Sequence, residues 1–179
     1  MDRLSPEQDL LGTRNDLCVR LARSEREVAT AQELRFSVFY EELKASPDTA
    51  ASHSRRDADR FDAFCDHLIV VRRTAGNEAG KFDVDDGEMV GTYRLLRQSV
   101  AEQNGGFYTQ SEFDIAPLLA AKPALKFLEL GRSCVLKQYR TKPVVELLWQ
   151  GIWNYVRHHG MDVMLGCASL EGTDHRVHA

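Results

Sequence analysis

The sequence contains no paired cysteines. Cys18, Cys65, Cys134 and Cys167 stand singly, with no CxxC spacing, so the common zinc-site pattern is absent and a disulfide framework is not indicated. No apolar run approaches the roughly 20 residues that a spanning helix needs. The opening MDRLSPEQDL is polar where a signal peptide would carry an apolar core. The location expected from this is cytoplasmic, with peripheral contact at the inner membrane compatible with it. HExxH, GxSxG, Walker and dinucleotide-binding patterns are all missing, and no metal site is expected. Positive charge is not in excess either: 23 Lys and Arg against 27 Asp and Glu leave a formal charge of −4. A nucleic-acid partner, which usually calls for a basic stripe, is therefore not expected.

What is present fits one soluble domain. The chain has 179 residues, 43% hydrophobic and 28% charged, enough for a single core and short for two. Residues 1–16 are polar and read as a flexible N-terminal segment, with the folded domain over 17–179. LCVRLA from Leu17 reads as a strand. Ser24 and Glu27 form a capping-box pattern opening a helix to about Leu43, with Val28, Ala31, Leu34, Val38, Phe39 and Leu43 on its apolar face. Residues 45–60 are small, polar and charged, a long loop of the kind that is more often functional than idle.

Strands follow at Cys65–Arg72 and Glu88–Arg97, joined as a hairpin by the turn-rich TAGNEAGKFDVDDGE. FDIAPLL reads as a short helical piece and Phe127–Leu136 as another strand. Thr141 opens a second long helix, with Pro143 in its first turn and Gly160 at its stop, before a last strand at Asp162–Ala168. The pattern β-α-β-β-(α)-β-α-β predicts an α/β fold, a mixed sheet flanked by helices.

Polar residues concentrate at three places inside apolar elements. Arg35 shares a helix face with Val28, Ala31 and Phe39; it is either paired, because a lone buried charge is very costly, or snorkelling at the stripe's edge. Asp59, Asp62 and Asp66 enter the strand after Phe61 and Phe64; they either hold a cation such as Arg35 or lie on a solvated loop. Glu129 and Arg132 flank Gly131 in FLELGRSCV, beside a strand carrying Arg94. Glycine inside a strand suggests a bulge or a close approach, and these charges make either a polar pocket or a structural ion-pair network. His67, His158 and His159 read as structural.

Together, RFSVFYEE (35–42), DRFDAFCDHLIVV (59–71), VGTYRLLR (90–97), ELGRSCV (129–135), LLWQGIWNYV (147–156) and LGCASLEGTD (165–174) resemble one family. It is the group of ornithine N-acyltransferases within the acetyltransferase-like GNAT superfamily, and it is similar, more distantly, to the acyl-homoserine lactone synthases. The resemblance is collinear over about residues 17–174. It implies a GNAT-like α/β fold and transfer of a 3-hydroxy fatty acyl group from acyl carrier protein to the α-amine of L-ornithine, giving lyso-ornithine lipid. It places the synthases' substrate-site residues on Arg35, Phe39, Asp59, Asp62 and Arg94, and their Glu–Arg pair on Glu129 and Arg132. Where the synthases carry a tryptophan, this chain has LKA (43–45), which turns the reading toward the ornithine branch. The alternatives are a synthase-like activity or a carrier-binding domain without turnover.

Acetyl-CoA enzymes of the superfamily cradle pyrophosphate on a glycine-rich loop at a helix start. The equivalent stretch here is Arg140-Thr-Lys-Pro-Val-Val145, with Pro and Val in place of the glycines. No bound cofactor is expected; the donor is instead the phosphopantetheine thioester on acyl carrier protein, met by Lys137, Arg140 and Lys142. Glu129 is the expected base for the amine proton, with Arg132 beside it holding the substrate carboxylate or the architecture. The family's sheet continues with a helix and two more strands after the last strand, whereas here HRVHA follows GTD. A domain lacking the C-terminal strands is the expectation, and activity of this polypeptide is not assumed.

Overall fold

A computed structural model describes residues 10–73 and 87–169. The hairpin connection within 74–86, the polar start over residues 1–9 and the end of the last motif lie outside the described residues. Six strands form one sheet in chain order: β1 (Leu10–Arg14), β2 (Leu17–Leu21), β3 (Asp66–Arg73), β4 (Gly87–Arg97), β5 (Phe127–Val135) and β6 (Val163–Leu165). Neighbours are antiparallel from β1 to β5, and β5 and β6 run parallel. The expected mixed α/β architecture is what the chain adopts.

Two long helices cover the sheet. α1 (Glu25–Phe36) packs Ala31 and Leu34 on one face, against Cys18, Ile69, Val71, Met89 and Cys134. α5 (Lys142–His159) covers the other face with Val144, Leu147, Leu148, Ile152 and Tyr155, against Leu11, Leu17, Val19, Leu68, Val70 and Val90. Short helices α2 (Thr49–Ser54), α3 (Gln98–Gln103) and α4 (Ala116–Ala121) fill the connections. A third apolar cluster of Phe61, Cys65, Leu96, Phe107 and Phe127 closes one end of the sheet.

The N-terminal expectation is corrected: residues 10–14 are not loose but form β1, paired from Arg14↔Leu17 outward. Leu11 is buried under α5, and the side-chain amide of Asn154 donates to the Leu11 carbonyl at 2.6 Å. The signal that would have found this strand is Asn15-Asp16, a two-residue hairpin turn with Asn15 at φ 55°. The capping box is half realised. Ser24 accepts from the Glu27 amide at 3.3 Å, but the Glu27 carboxylate binds Arg20 at 2.5 and 3.0 Å and the Arg23 amide. A buried arginine on β2 outcompetes the cap for the carboxylate.

The first helix also ends differently from a regular one. After Phe36 the chain widens into a π-helical turn over Ser37–Glu42, with the Leu43 amide bonding five residues back to Val38. The wider turn retards the apolar stripe. Val38 stays buried and Phe39 half-buried, while Leu43, assigned to the core face by a 3.6-residue period, is exposed. The 45–60 loop carries α2, capped by Asp48, whose side chain accepts from the Ala51 amide at 2.7 Å.

Close packing of α5 on the sheet depends on Gly151, where an added Cβ would stand 2.6 Å from Val19 Cγ2 and 3.2 Å from Leu68 Cδ1. Gly151→Ala gains about 1 kcal/mol of helix propensity and loses about 1–3 kcal/mol to overpacking. The expected net effect is a lower midpoint in urea unfolding, with the slope unchanged.

Candidate active site

Arg35 sets the geometry on the α1 side of the sheet. It is 1% exposed, and its guanidinium makes a two-pronged pair with Asp62, Nη1–Oδ1 and Nη2–Oδ2 both at 2.9 Å. Its Nε lies 2.9 Å from Asp57 Oδ2, and Nη2 also donates to the Asp57 carbonyl. The open choice between a paired and a snorkelling Arg35 is thus decided for pairing. Asp62 sits in a 3₁₀ turn (Arg60–Ala63) capped by Asp59: the Asp59 side chain accepts from the Phe61 amide at 2.8 Å, and Asp62 Oδ2 accepts from the Asp59 amide at 2.9 Å.

Two further arginines close the cluster. Arg94 on β4 reaches Asp59 Oδ1 at 2.7 Å and Asp62 Oδ1 at 3.5 Å. Arg132 on β5 lies 3.3 Å from both Asp57 Oδ2 and Asp59 Oδ2. Three cations and three carboxylates therefore interleave, with Tyr40 donating to Asp57 Oδ1 at 3.0 Å. Burial and the Asp57 carboxylate push the Tyr40 phenol upward, so it remains a donor. Asp57 and Tyr40 are participants that the sequence reading did not single out; the clue was a third Asp two residues before Asp59 in RRDAD. Asp66 does not join them. It accepts from the Tyr155 hydroxyl at 2.5 Å and pairs with Arg97 at 3.5 Å.

The expected bulge is present and involves the residues after Gly131. Arg94 pairs with Gly131 and Thr92 with Cys134, so two steps on β4 oppose three on β5. Arg132 in this surplus adopts φ 51°, a left-handed conformation that costs a non-glycine residue about 1–2 kcal/mol. On the other side of β5, pairing with β6 ends at Glu129↔Leu165. Gly166 then passes so close that an added Cβ would lie 2.3 Å from the Leu130 carbonyl oxygen. There a small cleft opens, lined by Arg94, Tyr108, Glu129, Gly131, Arg132 and Cys167 among others. At Gly131 an added Cβ would meet nothing nearer than Arg94 Nε at 4.0 Å. That glycine leaves room in the cleft rather than in the core.

Glu129 lines the cleft from a buried position on β5. Its Oε1 accepts from the Thr109 amide and hydroxyl, both at 2.6 Å, and Oε2 from the Tyr108 amide at 2.9 Å. A carboxylate offers about four lone-pair sites, so one on Oε2 remains. Thr109 and Tyr108 come from the turn after the glycine pair 105–106, which sequence reasoning treated only as a connection. Phe39 is half-buried and packs against the α1 core. Lys137 and Lys142 are exposed, while Arg140 is held by Glu42 at 2.6 and 2.7 Å and donates to the Val135 carbonyl.

Burial limits three of the cysteines as nucleophiles: it pushes Cys18 up to about 11, Cys134 up to about 12 and Cys65 higher still. Burial also lowers the pKa of His67, whose Nε2 lies 3.1 Å from the Asp62 carbonyl oxygen, so its imidazole is neutral at pH 7.

Residues 34–150 match the acetyltransferase (GNAT) domain family. The chain belongs to this family. It is 50% identical over 175 residues to an L-ornithine N(alpha)-acyltransferase of Rhizobium meliloti, and 38% identical over 156 residues to one of Rhodobacter capsulatus. The alignments cover 98% and 87% of this chain but 57% of each relative, so the chain spans little more than half the length of the curated proteins it matches. Among solved structures it is similar to FeeM, an N-acyl amino acid synthase from uncultured soil microbes, with a TM-score of 0.56 at 13% identity, covering 83% of this chain and 70% of that one. The AHL synthase LasI gives a TM-score of 0.52 at 16% identity, covering 84% and 71%. These two show a shared fold, and the family resemblance drawn from the collinear motifs holds.

Acid sensitivity follows from the cluster. Burial raises the Asp62 pKa, but the bonds and charges of Arg35, the Asp59 amide and Arg94 outweigh it and hold it at about 2, below the usual 3.8. The unfolded chain therefore binds more protons between those values, and stability falls as pH drops through that window, by a total of about 2 kcal/mol. Denaturant unfolding between pH 5 and 2 is expected to show this loss. Asp62→Asn should be destabilised at pH 7, because Arg35 then keeps Asp57 but loses its two-pronged carboxylate partner, and should have a shallower acid limb.

Proposed function

We propose that this domain belongs to an N-acyltransferase that moves a 3-hydroxy fatty acyl group from acyl carrier protein to the α-amine of L-ornithine. The observation that carries this is the outer edge of the ionic cluster. Arg132 and Asp59, with side chains 30% and 25% exposed, present opposite charges side by side next to the cleft. An acceptor with an α-carboxylate and a second ammonium suits such a pair: Arg132 takes the carboxylate and Asp59 the side-chain ammonium, leaving the α-amine to enter the cleft. Arg35, Asp57, Asp62 and Arg94 hold those two in place. The name of the curated relatives supports ornithine, as does LKA (43–45) where the signal synthases have an aromatic.

In the reaction the neutral amine nitrogen bonds to the thioester carbonyl carbon, and the C–S bond breaks with the carrier's sulfur departing as thiolate. The amine proton goes to the remaining lone pair of Glu129 Oε2 and from there to the thiolate; the Tyr108 amide fills the other position on Oε2, and Thr109 fills both on Oε1. Backbone N–H groups at the bulge beside Gly131 face the developing oxyanion. The stretch before and into α5 has no glycine cradle for a pyrophosphate. Lys137 and Lys142 then meet the single phosphate of the carrier's arm, joined by Arg140 when that phosphate displaces Glu42.

The purified chain incubated with 3-hydroxyacyl carrier protein is expected to release carrier thiol with ornithine and not with S-adenosylmethionine. Release only with S-adenosylmethionine would move the reading to signal synthesis; carrier binding without release would leave a non-catalytic domain. Glu129→Gln is expected to lower kcat about 100-fold or more, and Arg132→Met to raise KM for ornithine with a smaller change in kcat. Full turnover of Glu129→Gln at saturating substrates would remove Glu129 as the base.

A further inference from the structure

The outer side of α5 carries an apolar stripe that the described residues do not cover. Val145, Trp149 and Trp153 follow one another at i, i+4 spacing and so line one side of the helix. The two indoles are 49% and 57% exposed, although the helix packs firmly on the sheet through its other side. The sequence contains two tryptophans, and both stand here. Leaving that much aromatic surface in water is unfavourable, and adjacent exposed indoles mark a surface that meets something.

The charges around the stripe are mostly of one sign. Lys142 stands one turn before Val145, and Arg157 one turn after Trp153. Arg14 reaches across from β1 to Glu146 at 2.5 Å. Glu146, the single acidic residue of α5, is shared between Arg14 and Lys142, the latter at 3.5 Å. Indoles flanked by cations match the boundary of an anionic bilayer, where the ring lies at headgroup depth and Lys and Arg meet phosphates. A second copy of the chain fits poorly. A two-fold contact would set the cationic rim against itself, and three apolar side chains fall far short of the roughly 20–30 residues a side of a stable interface.

We infer that the Val145–Trp149–Trp153 face of α5 is a docking surface for an anionic lipid bilayer, held by the two indoles and by Arg14 and Arg157. This face lies on the α5 layer, opposite the α1 layer on which Arg35, Asp57 and Asp62 gather. The inference stands whichever amine the cleft accepts.

Because both tryptophans lie on this face, intrinsic fluorescence reports on it directly. Titrating the purified chain with phosphatidylglycerol vesicles at low salt is expected to shift emission to the blue and to give quenching by brominated acyl chains. Phosphatidylcholine vesicles should give neither, and high salt should reverse both. In vesicle co-sedimentation, Trp149→Ser with Trp153→Ser is expected to weaken binding roughly tenfold or more, with an unchanged circular dichroism spectrum. Arg157→Glu keeps both indoles and is expected to weaken binding to the anionic vesicles at low salt. An emission spectrum unmoved by phosphatidylglycerol overturns the inference, as does equal vesicle binding by the double serine variant. A blue shift that grows with protein concentration without lipid, alongside a dimer in sedimentation velocity, would assign the face to self-association instead.

Discussion

A guanidinium cannot be left alone in a protein interior, and much of this site follows from that constraint. Arg35 points inward from α1 and is almost wholly buried; without partners its desolvation would cost several kcal/mol. The segment 57–62 therefore folds across it, and Asp57 and Asp62 supply the compensating charge. Those carboxylates in turn draw Arg94 from β4 and Arg132 from β5. A buried ion pair of this kind contributes little net stability over packed apolar side chains. Its effect here is positional: one helix, one loop and two strands are held in a single relation.

The sheet contributes the opening that this framework surrounds. β5 carries one residue more than β4 between matched positions, and its pairing with β6 ends after three residue pairs. On its β6 side the backbone around Gly131 thus borders a cleft instead of a neighbouring strand. Glu129 is held by the 108–109 turn, so its position does not rest on the ionic cluster. Two independent supports, one ionic and one made of amide and hydroxyl donors, converge on one short stretch of β5.

Much of this is legible in the sequence. Runs and periods of apolar residues located five of the six strands and both long helices. The bulge was signalled by a glycine flanked by opposite charges, and the pairing of Arg35 by the cost of leaving it alone. What stayed hidden has specific causes. β1 is short, and only its Asn15-Asp16 turn betrays it. Asp57 lies in a stretch whose composition matches a solvated loop, and only the tertiary fold brings it to Arg35 and Arg132. Tyr108 and Thr109 bind Glu129 through backbone amides, which every residue has, so side-chain type could not reveal them.

The π-helical turn at Ser37–Glu42 carries a consequence for how this segment can vary in length. Tyr40 meets Asp57 and Glu42 meets Arg140 only because the widened turn delays both by a fraction of a revolution. Closing this turn to a regular helix at the same length would keep the composition and hydrophobicity of the segment intact, yet would rotate these two side chains off their partners together. Closing it with the loss of one residue would instead leave Glu42 facing nearly the same way, because five residues of regular helix turn through roughly the angle of six in the wider one. In this stretch the register is a count as much as a chemistry.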